Sequence, residues 1–156
     1  MKAFIGYVSM SGNTEDMANI LKEVLLAKGW DVEMDCLDAI EVERILAYDC
    51  VFFGAYTWGD GDLPYEAEDF FEELNELELE GIHAACFGSG DHDYPKFCAA
   101  VDIMVEALAE KGCVVFNQTL KMELNPETDE DVAECQQFAE AVYEWMLAKE
   151  GIKHVS

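Results

Sequence analysis

Residues 9–14 read Ser-Met-Ser-Gly-Asn-Thr, placing the polar side chains of Ser9, Ser11, Asn13 and Thr14 within six positions and no cation among them. Neutral donors at that spacing can grasp an anion by dipoles alone. They follow the apolar run Ala3–Val8, which reads as a buried strand, and precede Met17, Ile20, Leu21, Val24 and Leu25, the stripe of an amphipathic helix. A strand, a tight loop and a helix start therefore meet here. The first turn of a helix has backbone N–H groups with no intrahelical acceptor and the positive end of the macrodipole, so a phosphate is its natural guest. No Lys or Arg lies between Lys2 and Lys22, and neither a GK[ST] ending nor GxGxxG is present, so this is not a P-loop or a dinucleotide fingerprint. The same six residues also suit an ordinary N-cap and turn, and the rest of the chain must decide.

Two further loops carry aromatic side chains. Trp58 stands in Thr-Trp-Gly-Asp-Gly-Asp-Leu-Pro (57–64) and Tyr94 in Gly-Ser-Gly-Asp-His-Asp-Tyr-Pro (88–95). One aromatic on each of two neighbouring loops can clamp a flat ring system by stacking, and Gly59 and Gly61 allow the backbone to approach a ligand edge. Trp30 and Trp145 read as packing residues. A phosphate pocket and an aromatic clamp together suggest a flavin mononucleotide.

The elements that must hold these loops follow from periodicity. A first helix should end near Lys28-Gly29, and Asp31–Leu37 alternates as a strand with one exposed face. Residues 38–48 read as a short helix around Val42, Ile45 and Leu46. Cys50–Tyr56 is apolar throughout, as a central strand covered on both faces should be. Phe70, Phe71, Leu74 and Leu77 mark the next helix, and Ile82–Gly88 a fourth strand. Phe97, Val101, Met104, Val105 and Leu108 mark another helix. Cys113–Phe116 is a last strand that can resume at Leu120–Leu124, and Val132, Cys135, Phe138, Val142 and Met146 mark the closing helix. Five strands alternating with five helices imply an α/β fold, a parallel sheet with helices on both faces, because each parallel strand needs a right-handed crossover. Ligands in such sheets sit beyond the carboxyl ends of the strands, so the loops after strands one, three and four should converge on one crevice.

Composition narrows the partners. Thirty-four acidic against nine basic residues give a formal charge of −25 in 156 residues, which repels nucleic acid and anionic lipid and steers in basic proteins. No Lys or Arg occurs between Arg44 and Lys96, a span that holds Asp60, Asp62, Asp91, Asp93 and a run of glutamates. Part of that acid is a solvated face that keeps the chain soluble. The six cysteines form no CxxC or zinc spacing and mostly fall inside apolar runs, as buried free thiols do in a reducing compartment. With no signal-like start and no run of ~18 apolar residues, the expected location is the cytoplasm.

With these three loops in this order, the chain resembles a flavodoxin of the short-chain type. The 9–14 stretch matches that family's phosphate loop, 57–64 its first ring loop, and Gly88–Asp102 its second. The resemblance implies a three-layer α/β/α sandwich with a five-stranded parallel sheet of order 2-1-3-4-5 over a single domain, 1–150, with 151–156 as a short tail. It implies tightly but non-covalently bound FMN and low-potential one-electron transfer, without substrate turnover of the chain's own. Carried onto this sequence, Ser9, Ser11, Asn13 and Thr14 would bind the phosphate and ribityl hydroxyls, with backbone help from Met10 and Gly12. Trp58 would stack on the inner ring face and Tyr94 on the outer, with Thr57 and Asp60 in the first ring loop. The Gly59 carbonyl would turn towards flavin N5 when the semiquinone is protonated there. Ser89, Gly90 and Asp91 would meet the pyrimidine edge, and Phe97 and Cys98 would line the pocket. The implied partners are redox proteins with basic docking surfaces: an NAD(P)H-dependent flavodoxin reductase, and ferredoxin-dependent oxidoreductases or monooxygenases. The chain would act as a monomer.

Departures and competitors remain at this stage. Tyr56 is bulkier than the small residue expected at the end of the third strand, and Lys96 is the one cation near the ring loops. His92 titrates near neutral pH in free form but reads as an exposed loop residue. A phospho-accepting receiver domain would need paired acids after strand one and an Asp after strand three, where the chain has Val8-Ser9 and Tyr56-Thr57. An enzyme reading, a flavin-dependent NAD(P)H or quinone reductase of the same fold, must overcome the acidic ring surroundings, which repel nicotinamide phosphates. No carboxylate pair, Ser–His arrangement or metal-ligand spacing stands out.

Overall fold

In the computed structural model the described residues are 1–58, 61–91 and 96–155, with 150–155 described by backbone alone. The strands are β1 (Lys2–Val8), β2 (Asp31–Cys36), β3 (Cys50–Tyr56), β4 (His83–Gly90), β5 (Val114–Val115) and β6 (Leu120–Glu123). Four α-helices alternate with them: α1 (Asn13–Ala27), α2 (Tyr65–Leu74), α3 (Ala99–Glu110) and α4 (Asp129–Val155). The sheet is parallel in the order β2-β1-β3-β4-β5, with β6 also paired to β4.

Alternation along the central strands builds two cores, one per face. Ala3, Ile5 and Tyr7 of β1, Phe52 of β3 and Phe87 of β4 pack with α1 and α4 through Met17, Leu21, Leu25, Phe138, Val142 and Met146. Phe4, Val51, Phe53, Ala55 and Cys86 take the opposite face, under Phe70, Phe71 and Leu74 of α2 and Val101, Met104 and Leu108 of α3. Phe4, Phe52, Phe53 and Phe87 are fully buried, each contributing about 1.5–3 kcal/mol by removal from water. Trp30 packs on Tyr143 at 5.5 Å, and Trp145 lies between His83 and Phe116 at 5.1 Å from each, so both act as the packing residues expected.

Two expectations need correction. Residues 38–48 form no α-helix: two 3-10 stretches, Leu37–Ala39 and Val42–Ala47, cross between β2 and β3. Val42 and Ile45, three residues apart, eclipse on a 3-10 repeat, and both are buried with Leu37. β4 runs two residues beyond Gly88, because Ser89 pairs with Tyr56 of β3 and Met122 of β6, and Gly90 with Glu123 of β6. The last strand does resume at Leu120, as β6 after β5. Between the Val115–Ala84 and Leu120–Phe87 pairs the edge chain advances five residues while β4 advances three, so two extra residues bulge out of the edge.

Candidate functional site

The carboxyl ends of β1, β3 and β4 open onto one cleft of about 370 Å³. Its walls include Ser9, Met10, Ser11, Asn13 and Thr14 from the first loop, Thr57 and Trp58 from the second, and Ser89, Gly90, Asp91, Phe97 and Cys98 from the third. Convergence of the three loops, expected from strand polarity, is therefore what the chain does. Of the expected site residues, Gly12 stands outside the walls as the N-cap of α1, and Gly59, Asp60 and Tyr94 lie outside the described residues, as does His92.

At one end of the cleft α1 begins without a side-chain cap. Gly12, at φ 88°, holds the left-handed turn that sends the chain from β1 into the helix, and its N–H donates to Ser9 Oγ at 3.0 Å. The first intrahelical bond runs from the Asp16 N–H to the Gly12 carbonyl, so the N–H groups of Asn13, Thr14 and Glu15 precede the helical ladder. A Ser, Thr, Asp or Asn at the N-cap would have closed that end with a side-chain oxygen; with Gly12 there, no side chain caps it. Thr14 is fully buried and its hydroxyl meets Ser89 Oγ at 2.8 Å, tying α1 to the end of β4.

The second loop is a tight clasp. Trp58 and Asp62 exchange both backbone N–H···O bonds at 2.8 Å, and the Gly61 N–H donates to the Trp58 carbonyl at 3.2 Å. Gly61, at φ 110°, faces the third loop: a Cβ there would come within 2.7 Å of Lys96 Cδ. The Ala100 N–H donates to Thr57 Oγ1 at 3.2 Å, a second tie between the two loops. Trp58 itself is 43% exposed, with its indole on the cleft.

Opposite, Gly90 lets the chain at Phe97-Cys98 close in, since a Cβ would lie 2.9 Å from Cys98 Sγ and 3.3 Å from the Phe97 ring. Cys98 is buried, and that burial pushes its thiol up to about 11, so at neutral pH it is an uncharged wall rather than a nucleophile. Burial, then Glu66, raises the Tyr56 phenol. The non-glycine residues at positive φ among the described residues are Lys96 (59°), Cys98 (53°) and Leu124 (56°), and all three line the cleft. Backbone held in so sparse a region gathers where a site has to be shaped.

Tyr56, Lys96 and Leu124 complete the walls. The first two were flagged in the sequence as departures without a place in the site. Leu124 went unnoticed, although its position at the carboxyl end of the resumed edge strand signals it by the same rule that found the other loops. Its N–H donates to the Gly90 carbonyl at 2.8 Å. Among the described residues no group of three or more His, Cys, Asp or Glu side chains could hold a metal ion, and no helix is long and apolar enough to cross a membrane.

The donor set suits FMN: neutral hydroxyl, amide and helix N-terminal N–H groups at one end, an indole and apolar walls at the other. The sequence profile of the family described as Flavodoxin matches residues 5–138. The chain belongs to the flavodoxin family. It is 52% identical to probable flavodoxin 1 of Bacillus subtilis strain 168 over 99% of either chain. It is 38% identical to a flavodoxin of Maridesulfovibrio salexigens over 85% of this chain and 92% of that one. The crystal structure of oxidised flavodoxin 2 from Bacillus cereus superposes with a TM-score of 0.89 at 46% identity, covering 92% of this chain and 99% of that one. Flavodoxins bind FMN and transfer electrons to and from redox proteins, and the flavodoxin sheet order 2-1-3-4-5 is the one observed here.

Proposed function

We propose that this chain is a low-potential one-electron carrier that holds FMN non-covalently in the cleft and shuttles electrons between a reductase and acceptor redox proteins. The observation that carries the reading is the cleft itself, with uncapped helix donors at one end and Trp58 at the other, built from three strand-end loops. Bound FMN supplies the redox chemistry; the protein supplies binding, orientation and field. In this reading Ser9, Ser11, Asn13 and Thr14, with the Met10 and Gly12 backbone, hold the phosphate and ribityl chain. Trp58 and Tyr94 stack on the ring, and the Gly59 backbone meets its N5 edge. Ser89, Gly90 and Asp91 meet its pyrimidine edge through backbone groups, Thr57 ties the first ring loop to Ala100, and Phe97 and Cys98 line the pocket.

Low potential follows from charge. Asp60, Asp62 and Asp91 stand in or beside the ring loops, and Glu66, Glu68, Asp69, Glu72 and Glu73 cover the solvent face of α2. One carboxylate ~10 Å away at an effective dielectric of ~40 opposes an added electron by roughly 0.8 kcal/mol, or about 35 mV. Several together make the reduced protein a strong donor.

The same acids set the partners. Next to the cleft, and sharing Trp58 with it, lies a groove of about 600 Å³ whose walls include Asp62, Tyr65, Glu68, Phe71 and Glu72. An acidic, part-aromatic groove beside the ring suits the basic docking face of an NAD(P)H-dependent flavodoxin reductase and of ferredoxin-dependent oxidoreductases or monooxygenases. The carrier is a cytoplasmic monomer with one flavodoxin-like domain, residues 1–150, and no nucleic-acid or membrane partner.

Purified protein, loaded with FMN and reduced stepwise without oxygen, tests this. Two separate one-electron steps in the absorption spectrum, with negligible NAD(P)H oxidation until a flavodoxin reductase is added, are expected. Turnover of NAD(P)H or a quinone by the chain alone would instead make it a reductase, and failure to take up FMN would sink the cleft assignment.

A further inference from the structure

Tyr56 has no role in the reading above, yet it occupies a decisive place. It is the last residue of β3, fixed by its pairing with Ser89 of β4, and its ring stands edge-on to the Trp58 indole at 6.4 Å and 76°. The Trp58 backbone is locked by its two bonds to Asp62, so the remaining freedom of the indole is rotation about its side-chain torsions. There is somewhere for it to go. Another cavity, of about 360 Å³, is lined by Tyr56 and Trp58 together with Ser9, Met10, Tyr65 and Glu66. Both cavities share Ser9, Met10, Tyr56 and Trp58, so the Tyr56–Trp58 pair belongs to the wall between them. Take the ring away and the two spaces join, leaving a 43% exposed indole free to swing towards Tyr65.

We infer that Tyr56 is a positioning residue: its ring is the stop that holds the Trp58 indole against the cofactor cleft, so that the stacking face exists before the ligand arrives. The inference rests on the FMN reading of the cleft. An edge-to-face aromatic pair is a favoured geometry, and a pre-placed indole loses no rotational freedom on binding. The side chain acts through its ring, not its hydroxyl.

The test is a double-mutant cycle on FMN binding to the apoprotein, read by quenching of FMN fluorescence. Tyr56→Ala should weaken binding about three- to tenfold, Tyr56→Phe should restore it to within about twofold, and in a Trp58→Ala background Tyr56→Ala should cost almost nothing. Near-ultraviolet circular dichroism gives a second readout without ligand. The Trp58 contribution, obtained by subtracting the spectrum of the matching Trp58→Ala protein, should collapse in Tyr56→Ala and persist in Tyr56→Phe. Equal losses from Tyr56→Ala in both backgrounds would overturn the inference, because Tyr56 would then act on the ligand or the phosphate loop directly. So would a Tyr56→Ala protein that binds FMN normally while Trp58→Ala does not. A Trp58→Ala protein that binds FMN as tightly as the parent would instead remove the stacking assignment on which the inference stands.

Discussion

Thr14 and Ser89 are the buried polar side chains of the described core, and each is the other's partner at 2.8 Å. Removing one hydroxyl leaves the other buried in the cleft wall without this partner, which costs more than the bond itself contributes. Thr14→Val should therefore destabilise the apoprotein by about 1–3 kcal/mol in urea unfolding, and the double change to Thr14→Val with Ser89→Ala by less than the sum of the two singles. Loss of the stacking face is a separate matter. Trp58→Ala should weaken FMN binding about tenfold while leaving apoprotein stability nearly unchanged, since an indole 43% exposed contributes little to the core. The thiols behave as core rather than chemistry. Burial pushes Cys50 and Cys135 up to about 12 and Cys98 up to about 11, against an ordinary 9.0. The folded chain thus keeps protons that the unfolded chain releases. The stability these thiols lend is whole below pH 9 and is lost as the pH rises through 11 and 12. Melting temperature should fall steeply across that window, and Cys50→Ala should make the fall shallower.

Among elements, β4 is the most demanding because helix and neighbour strand close on it from both sides. A Cβ at Gly88 would run into the Ala55 carbonyl oxygen and a methyl of Val101, and backbone cannot retreat as a side-chain tip can. Gly88→Ala should cost at least about 2–3 kcal/mol in denaturant unfolding, whereas Gly81→Ala, in open space at φ 86°, should cost about 1 kcal/mol. The central strands were legible in the sequence because Ala3–Val8 and Cys50–Tyr56 are covered on both faces and so are apolar without interruption. Rules of strand polarity then led to the three loops and to most of the cleft. What escaped was decided by distant partners. Gly90 is a strand residue because β6, some thirty positions on, pairs with it. The 38–48 crossing has Val42 and Ile45 three residues apart, a spacing that a 3-10 repeat meets as well as an α-helix does. The left-handed backbone at Lys96, Cys98 and Leu124 is imposed by the packing of the cleft, and no residue type there announces it.

Over the whole molecule, a charge of −25 is a steady self-repulsion that folding must overcome. Among the described residues the ion pairs, Arg44 with Glu33 and Asp35 and Lys121 with Asp102, are part-exposed at the surface and offset little of it. Raising NaCl from about 0.05 to about 0.5 M should therefore lift the melting temperature by several degrees while slowing association with a basic partner, because screening weakens repulsion and steering alike. A protein held by its ion pairs would melt lower instead. The split edge of the sheet has a different consequence. Where β5 stops and β6 begins, the chain already leaves the sheet and returns, and both ends of the detour are anchored on β4. That makes the gap a natural port for guest sequence. Ten Gly and Ser residues spliced between Gln118 and Thr119 would lengthen a detour that exists, at an entropic cost of about 1–2 kcal/mol. The same splice between Val8 and Ser9 would pull the 9–14 loop off its strand and open the cleft wall. A tag or reporter placed at the port should leave the carrier folded and able to take up its cofactor.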